Sequence, residues 1–208
     1  MKICVIGIVL LVLAGCVTSR SPDFVCNDSQ SKPMEKKSIA YEIQCTTSYQ
    51  KEFDEAQSSV QGQGAWVQPH TKEESIVHFK TVFKDLSSSI SPIDPRKESA
   101  DIVVSINLQN SWNSQVVAAA FLHGLSLYCI PCWGDDDYYL KATVKNKKGV
   151  QKEYLIKRNI STTSWLPFIV ATPFGELPIT ARNKVVEANW KELRFKMAAD
   201  GFFDKSDK

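Results

Sequence analysis

Apolar and polar positions alternate most cleanly between Asp101 and Gln109. Ile102, Val104, Ile106 and Leu108 fall on one side, and Ser105, Asn107 and Gln109 on the other. A period of two over that length predicts a strand with one buried face. The same alternation through Ile39, Tyr41, Ile43 and Cys45 predicts a strand over 39–46. Tyr138 to Lys145 and Val150 to Ile160 flank Asn146-Lys147-Lys148-Gly149, the pattern of a hairpin with a four-residue turn. A further strand is expected from His123 to Ile130, closed by Pro131.

Two stretches change to helical spacing. From Thr71 to about Ser88, Ile76, Phe79, Phe83 and Leu86 share a face. Thr71 and Glu74 stand at capping-box spacing at its start, and Ser91-Pro92-Ile93-Asp94-Pro95 ends it. From Thr180 to about Asp200, Val186, Trp190, Leu193 and Met197 share a face, and Gly201 is placed to stop the helix. Tyr49 to Pro69 shows neither period and reads mostly as loop. Strand, helix, several strands with short turns, then helix predicts an α+β fold. The expectation is an antiparallel sheet of about four to six strands with two long helices packed on one face.

The N-terminus follows different rules. Met1 and Lys2 precede Ile3 to Leu13, an apolar run without charge. It is shorter than the roughly 20 residues a bilayer-spanning helix needs, and it has the form of a secretory signal. It ends in Leu13-Ala14-Gly15-Cys16. This junction resembles the lipobox of bacterial lipoproteins at all four positions. The resemblance implies cleavage between Gly15 and Cys16, a diacylglyceryl group on the Cys16 thiol and an acyl group on the new amino terminus. Val17, not Asp, follows the cysteine, which in Gram-negative lipoproteins implies the outer membrane. The organisation expected is a signal peptide over 1–15, a lipidated flexible tether rich in Ser, Asn, Asp and Pro over 16–38, and one α+β domain over 39–208. The rest of the chain loosely resembles uncharacterised Gram-negative envelope lipoproteins. The resemblance rests on an aliphatic strand ending in proline (Leu125 to Pro131), an aromatic hairpin (Tyr138 to Ile160) and Trp165-Leu166-Pro167.

Charge sharpens the picture through its distribution. The chain has 25 Lys+Arg against 23 Asp+Glu, and its net charge of +2 gives no footprint for nucleic acid. Yet no Asp, Glu, Lys or Arg occurs from Ile102 to Gly134, or from Asn159 to Gly175. Central strands account for part of this. Within the gaps, Val116 to Leu122 is apolar without alternation, and Trp165, Phe168 and Phe174 lie among prolines. Phe121, Trp165, Phe168 and Phe174 are therefore the candidate interaction surface, toward another envelope protein or the membrane. His123, Gly124 and Pro131 argue against a transmembrane helix over 116–133.

With Cys4 in the signal and Cys16 as the lipid site, Cys26, Cys45, Cys129 and Cys132 remain. An even number in an exported chain suggests disulfides, and four cysteines allow three connectivities. Cys26–Cys45 and Cys129–Cys132 are the favoured pairs. Cys129-Ile130-Pro131-Cys132 also has thioredoxin-type spacing, but that chemistry needs the first thiol at a helix N-terminus, and no helix follows. Asp135-Asp136-Asp137 lacks calcium-loop spacing and reads as a solvated turn. No catalytic or metal motif is found, and no cofactor is expected beyond the covalent lipid at Cys16. The function expected is a non-enzymatic, lipid-anchored binding or structural component of the outer membrane or periplasm. The alternatives are a subunit of an outer-membrane assembly or secretion complex whose uncharged segments enter the bilayer, and a periplasmic thiol-redox protein using Cys129 and Cys132.

Overall fold

The computed structural model describes residues 15–24, 34–47, 71–94, 100–112, 132–165, 176 and 178–205. In chain order the elements are β1 (Gly15–Arg20), β2 (Lys37–Thr47), α1 (Lys72–Phe83) with a 3-10 turn (Lys84–Leu86), β3 (Ser87–Pro92), β4 (Ile102–Trp112), β5 (Cys132–Asn146), β6 (Gln151–Trp165) and α2 (Pro178–Ala199). The strands form one sheet in the order β1-β6-β5-β4-β2-β3. The expected single-faced α+β sandwich is present, with six strands.

The sheet is mixed, which corrects the expectation of an antiparallel one. β4 with β5, β5 with β6 and β6 with β1 pair antiparallel, but β2 pairs parallel with both β3 and β4. The cause is the return path after β2. An antiparallel partner needs only a tight turn, whereas a helical crossover carries the chain back to its starting end and delivers a parallel strand. α1 makes that return between β2 and β3. The hairpin between β5 and β6 follows the sequence pattern. Gly149 takes φ +82°, and Asn146 closes the turn by accepting the Val150 N–H on its Oδ1 at 2.9 Å.

Alternation decides which face is buried. Ile39, Tyr41 and Ile43 of β2, Ile102, Val104 and Ile106 of β4, Leu140, Ala142 and Val144 of β5, and Tyr154 and Ile156 of β6 all point under the helices. Phe79, Phe83, Val186, Trp190, Leu193 and Met197 meet them from above. Rings carry much of this contact: Phe79 lies 5.3 Å from Tyr41, 4.7 Å from Phe83 and 5.7 Å from Trp190, centroid to centroid. The opposite face stays in water, with Glu42, Gln44, Ser105, Asn107, Lys141, Glu153 and Lys157 exposed.

The helix ends behave as the sequence implies. Thr71 and Glu74 form the reciprocal capping box, with Glu74 N–H donating to Thr71 Oγ1 at 3.2 Å. At the end of α2, Gly201 N–H donates to Ala198 O at 3.0 Å and Phe202 N–H to Met197 O at 3.1 Å. This is the Schellman arrangement, with Gly201 at φ +79°.

Three expectations fail. Residues 16–20, expected at the start of a tether over 16–38, form with Gly15 the edge strand β1. The pattern missed β1 because a short strand of small and polar residues has no apolar face to detect. Asp135, Asp136 and Asp137 are not a turn but rungs of β5, which begins at Cys132. Ser87–Pro92 form β3, where the helix was expected to run to about Ser88 and Ser91 to Pro95 to end it. The strand expected over 123–130 lies outside the described residues.

Two substitutions test this packing. Phe79→Ala should cost about 3–5 kcal/mol, because the ring is fully buried between both layers. Gly201→Ala should cost roughly 1–2 kcal/mol through the left-handed backbone it must hold. Urea unfolding followed by circular dichroism measures both.

Candidate functional site

The strands do not end together. β4 finishes at Trp112, opposite Asp136, and β2 finishes at Thr47, opposite Asn110. β5, β6 and β1 continue past that line. Their projecting rungs are Asp135↔Ser161↔Ser19, Gly134↔Thr162↔Thr18, Trp133↔Thr163↔Val17 and Cys132↔Ser164↔Cys16. These residues make a three-stranded tongue at one pole of the sheet. Apart from Asp135 at its base, the tongue carries no charge. Trp133 is 64% exposed. The connections over 113–131 and 166–175 leave from this pole, and neither contains a charged residue.

β1 is tied to the domain by more than its ladder to β6. Arg20 Nε donates to Glu176 Oε2 at 2.8 Å, and its Nη1 to Asp23 Oδ1 at 2.6 Å. Lys184 holds the other Glu176 oxygen at 2.7 Å. The hydrogen bond to Asp23 and the pairing with Glu176 outweigh burial and raise the Arg20 pKa further above its usual value. Arg158, buried on β6, reaches Pro22 O at 2.6 Å and Glu192 Oε2 at 2.7 Å. Ser21 exchanges hydrogen bonds with Asn159, and the ring of Phe24 lies 5.5 Å from that of Phe195. β1 and the four residues after it are thus packed along α2 and β6.

Between the layers, just above the tongue, the core turns polar. A cavity of about 20 Å³ is bounded by Cys45, Asn110, Tyr138, Val186, Asn189 and Trp190 among others, room for about one water. Asn189 Oδ1 and Trp190 Nε1 are buried beside it without a hydrogen-bond partner among the described residues. Nearer the tongue, the paired Thr18 and Thr162 leave both hydroxyls in the same condition. Arg182, almost fully buried on α2, donates to Glu74 Oε2 of α1 at 2.8 Å and closes the gap between the helices.

Two adjacent aspartates at the base of the tongue have opposite environments. Asp137 faces the open side. Burial raises its pKa, but Lys157 at 2.8 Å, Asn159 and Tyr139 outweigh that and hold it below the ordinary carboxylate value. Asp136 shares the inward face with Tyr138 and Leu140. Burial first, then the charges of Asp135 and Asp137, push its pKa up to about 7. One clue to this was present in the alternation: the even positions from Asp136 to Val144 continue the inward face of β5, and Asp136 is the acid among them.

The residues singled out in the sequence distribute as follows. Gly15 and Cys16 open β1, Cys132 opens β5 and Trp165 closes β6, so register brings the lipobox cysteine, the second cysteine of the CxxC and the Trp165 position to the same pole. Cys45 is a free thiol on β2, its Sγ 3.8 Å from Ser75 Oγ of α1, and Cys26, its expected partner, lies outside the described residues. Burial pushes the Cys45 thiol pKa up, which keeps it protonated. Cys26, Cys129, Phe121, Phe168 and Phe174 lie outside the described residues. Trp133, exposed on the tongue, was not singled out: in sequence it is one residue beside a cysteine motif. Among the described residues no group of three or more His, Cys, Asp or Glu is placed to hold a metal, and no helix is long and apolar enough to cross a membrane.

Asp136 gives a pH prediction. Between the ordinary carboxylate pKa near 4 and about 7, the folded protein holds a proton that the unfolded chain has released. Stability therefore falls as pH rises through that window and stays lowered above it. Asp136→Asn should stabilise the protein at pH 8 by on the order of 2 kcal/mol and leave it nearly unchanged at pH 4. Thermal melts of both proteins across that range provide the check.

Compared with models of known protein families and with curated proteins, the chain matches none. Its functional reading rests on its own residues.

Proposed function

We propose that this chain is a lipid-anchored envelope protein, acylated at Cys16 and held at the outer membrane, with its domain on the periplasmic side. The domain is a non-enzymatic binding or structural component. The observation that carries the reading is Leu13-Ala14-Gly15-Cys16 after a charged start and an apolar run. Only a thiol forms the thioether to diacylglycerol, and small residues before it admit the backbone to the peptidase. Two or more acyl chains supply stable anchoring at about 0.8 kcal/mol per buried CH₂, where one chain is marginal. Lys2 leaves with the signal, so the mature chain is close to neutral and electrostatics does not hold it at a membrane.

A binding role fits the uncovered face of the sheet. There Leu155 is 65% exposed between Glu153 and Lys157, and Lys157 sits 5.1 Å over the Tyr139 ring. That mixture of apolar, aromatic and charged groups suits a protein partner in the envelope. The thiol-redox alternative gains little support, because Cys132 opens a strand, where no helix dipole lowers a thiol pKa.

Intact mass of the purified protein tests the anchor. The expected species begins at Cys16 and carries a diacylglyceryl group and an N-acyl chain. Cys16→Ser should release the protein from membranes into the soluble fraction. A wild-type mass that fits an unmodified cysteine, or membrane retention of Cys16→Ser, contradicts the reading.

A further inference from the structure

We propose that the three-stranded tongue rests in the headgroup layer of the bilayer that holds the lipid, with Trp133 as its interfacial anchor. This rests on acylation of Cys16. Acylated Cys16 would be the first residue of the mature chain, and it lies on the last β1–β6 rung that the mature chain keeps, paired with Ser164. No residue is left between lipid and fold to act as a spacer. Anchoring at Cys16 while β1 stays paired with β6 brings the tongue to the membrane surface.

The distances fit. Trp133 lies one rung behind the Cys16 row and two strands across, so it is about 3.4 Å higher and about 10 Å to the side. Each headgroup layer is roughly 5–7 Å deep. Trp133 therefore falls inside that layer when the strands stand along the bilayer normal. An exposed indole, apolar in body and with one N–H, is suited to it. The first charges stand further back. Asp135 to Asp137 are two to four residues above Trp133, about 7–14 Å, and Arg20 is four residues, about 14 Å, above Cys16. Little charge has to be desolvated as the tongue settles, and charge begins where water does.

Photocrosslinking in intact envelopes tests this. Trp133→p-benzoylphenylalanine is compared with Leu155→p-benzoylphenylalanine. Both positions are exposed to the same degree on the same face of the sheet. Leu155 lies eight residues back along β6 from the partner of Trp133, about 27 Å from the tongue rung. Phospholipid adducts at 133 should exceed those at 155 at least tenfold, read by mass spectrometry of the crosslinked peptide. Equal yields at the two positions, or adducts at 133 only to protein, overturn the docking. The intact mass of the same sample separates the two ideas. Acylated protein without lipid adducts at 133 sinks the docking alone, and unmodified Cys16 sinks the anchor and the docking together.

Discussion

The contact of Trp190 with Phe79 over the middle of the sheet sets the relative placement of everything else. Both rings are fully buried, and they join α2 to α1 at 5.7 Å while each helix keeps its own row of side chains on the strands. Arg182 and Glu74 repeat the connection one and a half to two turns toward the N-termini. The helices are therefore held with their N-termini toward the same pole, the one where β2, β4 and β6 end. With one face of the sheet closed in this way, the other remains open to a partner, and the long connections leave from the pole.

That pole is where the polar and apolar requirements of the fold conflict. Away from it, the inward positions are aliphatic and aromatic. Toward it they become Asn110, Tyr138, Asp136, Thr162 and Thr18, and the hydroxyls of Thr162 and Thr18 are buried without a hydrogen-bond partner among the described residues. Buried polar atoms without partners cost stability, so this end of the core is less tightly specified than the aromatic centre. Beyond it, β1, β6 and β5 continue as a layer with little charge. Behind that layer, the ion pair of Arg20 with Glu176 holds β1 beside the start of α2, and that of Arg158 with Glu192 fastens β6 to α2.

Much of the fold was legible in the sequence wherever burial imposes a period. The inward side of β4, the face of α2 and the caps at Thr71 and Gly201 were all read from spacing. Parallel pairing of β2 was not legible, because strand direction depends on how a connection returns, and periodicity carries no direction. β1 was hidden for a different reason: Val17-Thr18-Ser19-Arg20 gains its place from hydrogen bonds to β6 and from the Arg20 ion pairs, not from an apolar stripe. The candidate site was half legible. The lipobox-like junction and the uncharged gaps are properties of the sequence, but that they meet at one pole, with Trp133 among them, depends on register between strands far apart in the chain. The aspartates at 135–137 misled because a run of acids usually marks a turn, whereas here alternation sends Asp136 inward and Asp137 outward.

We propose that the fold begins at Cys16, the residue that would carry the lipid, with β1 paired to β6 and no tether between. Amide hydrogen exchange of the acylated protein in lipid nanodiscs tests it most directly, followed at Thr18, Ser19 and Arg20. If the account holds, the amides bonded to β6 exchange orders of magnitude more slowly than an unstructured chain, approaching the protection of the β5–β6 ladder. Exchange of all three at random-coil rates, with β5 and β6 still protected, would contradict it and restore residues 16–20 to a tether.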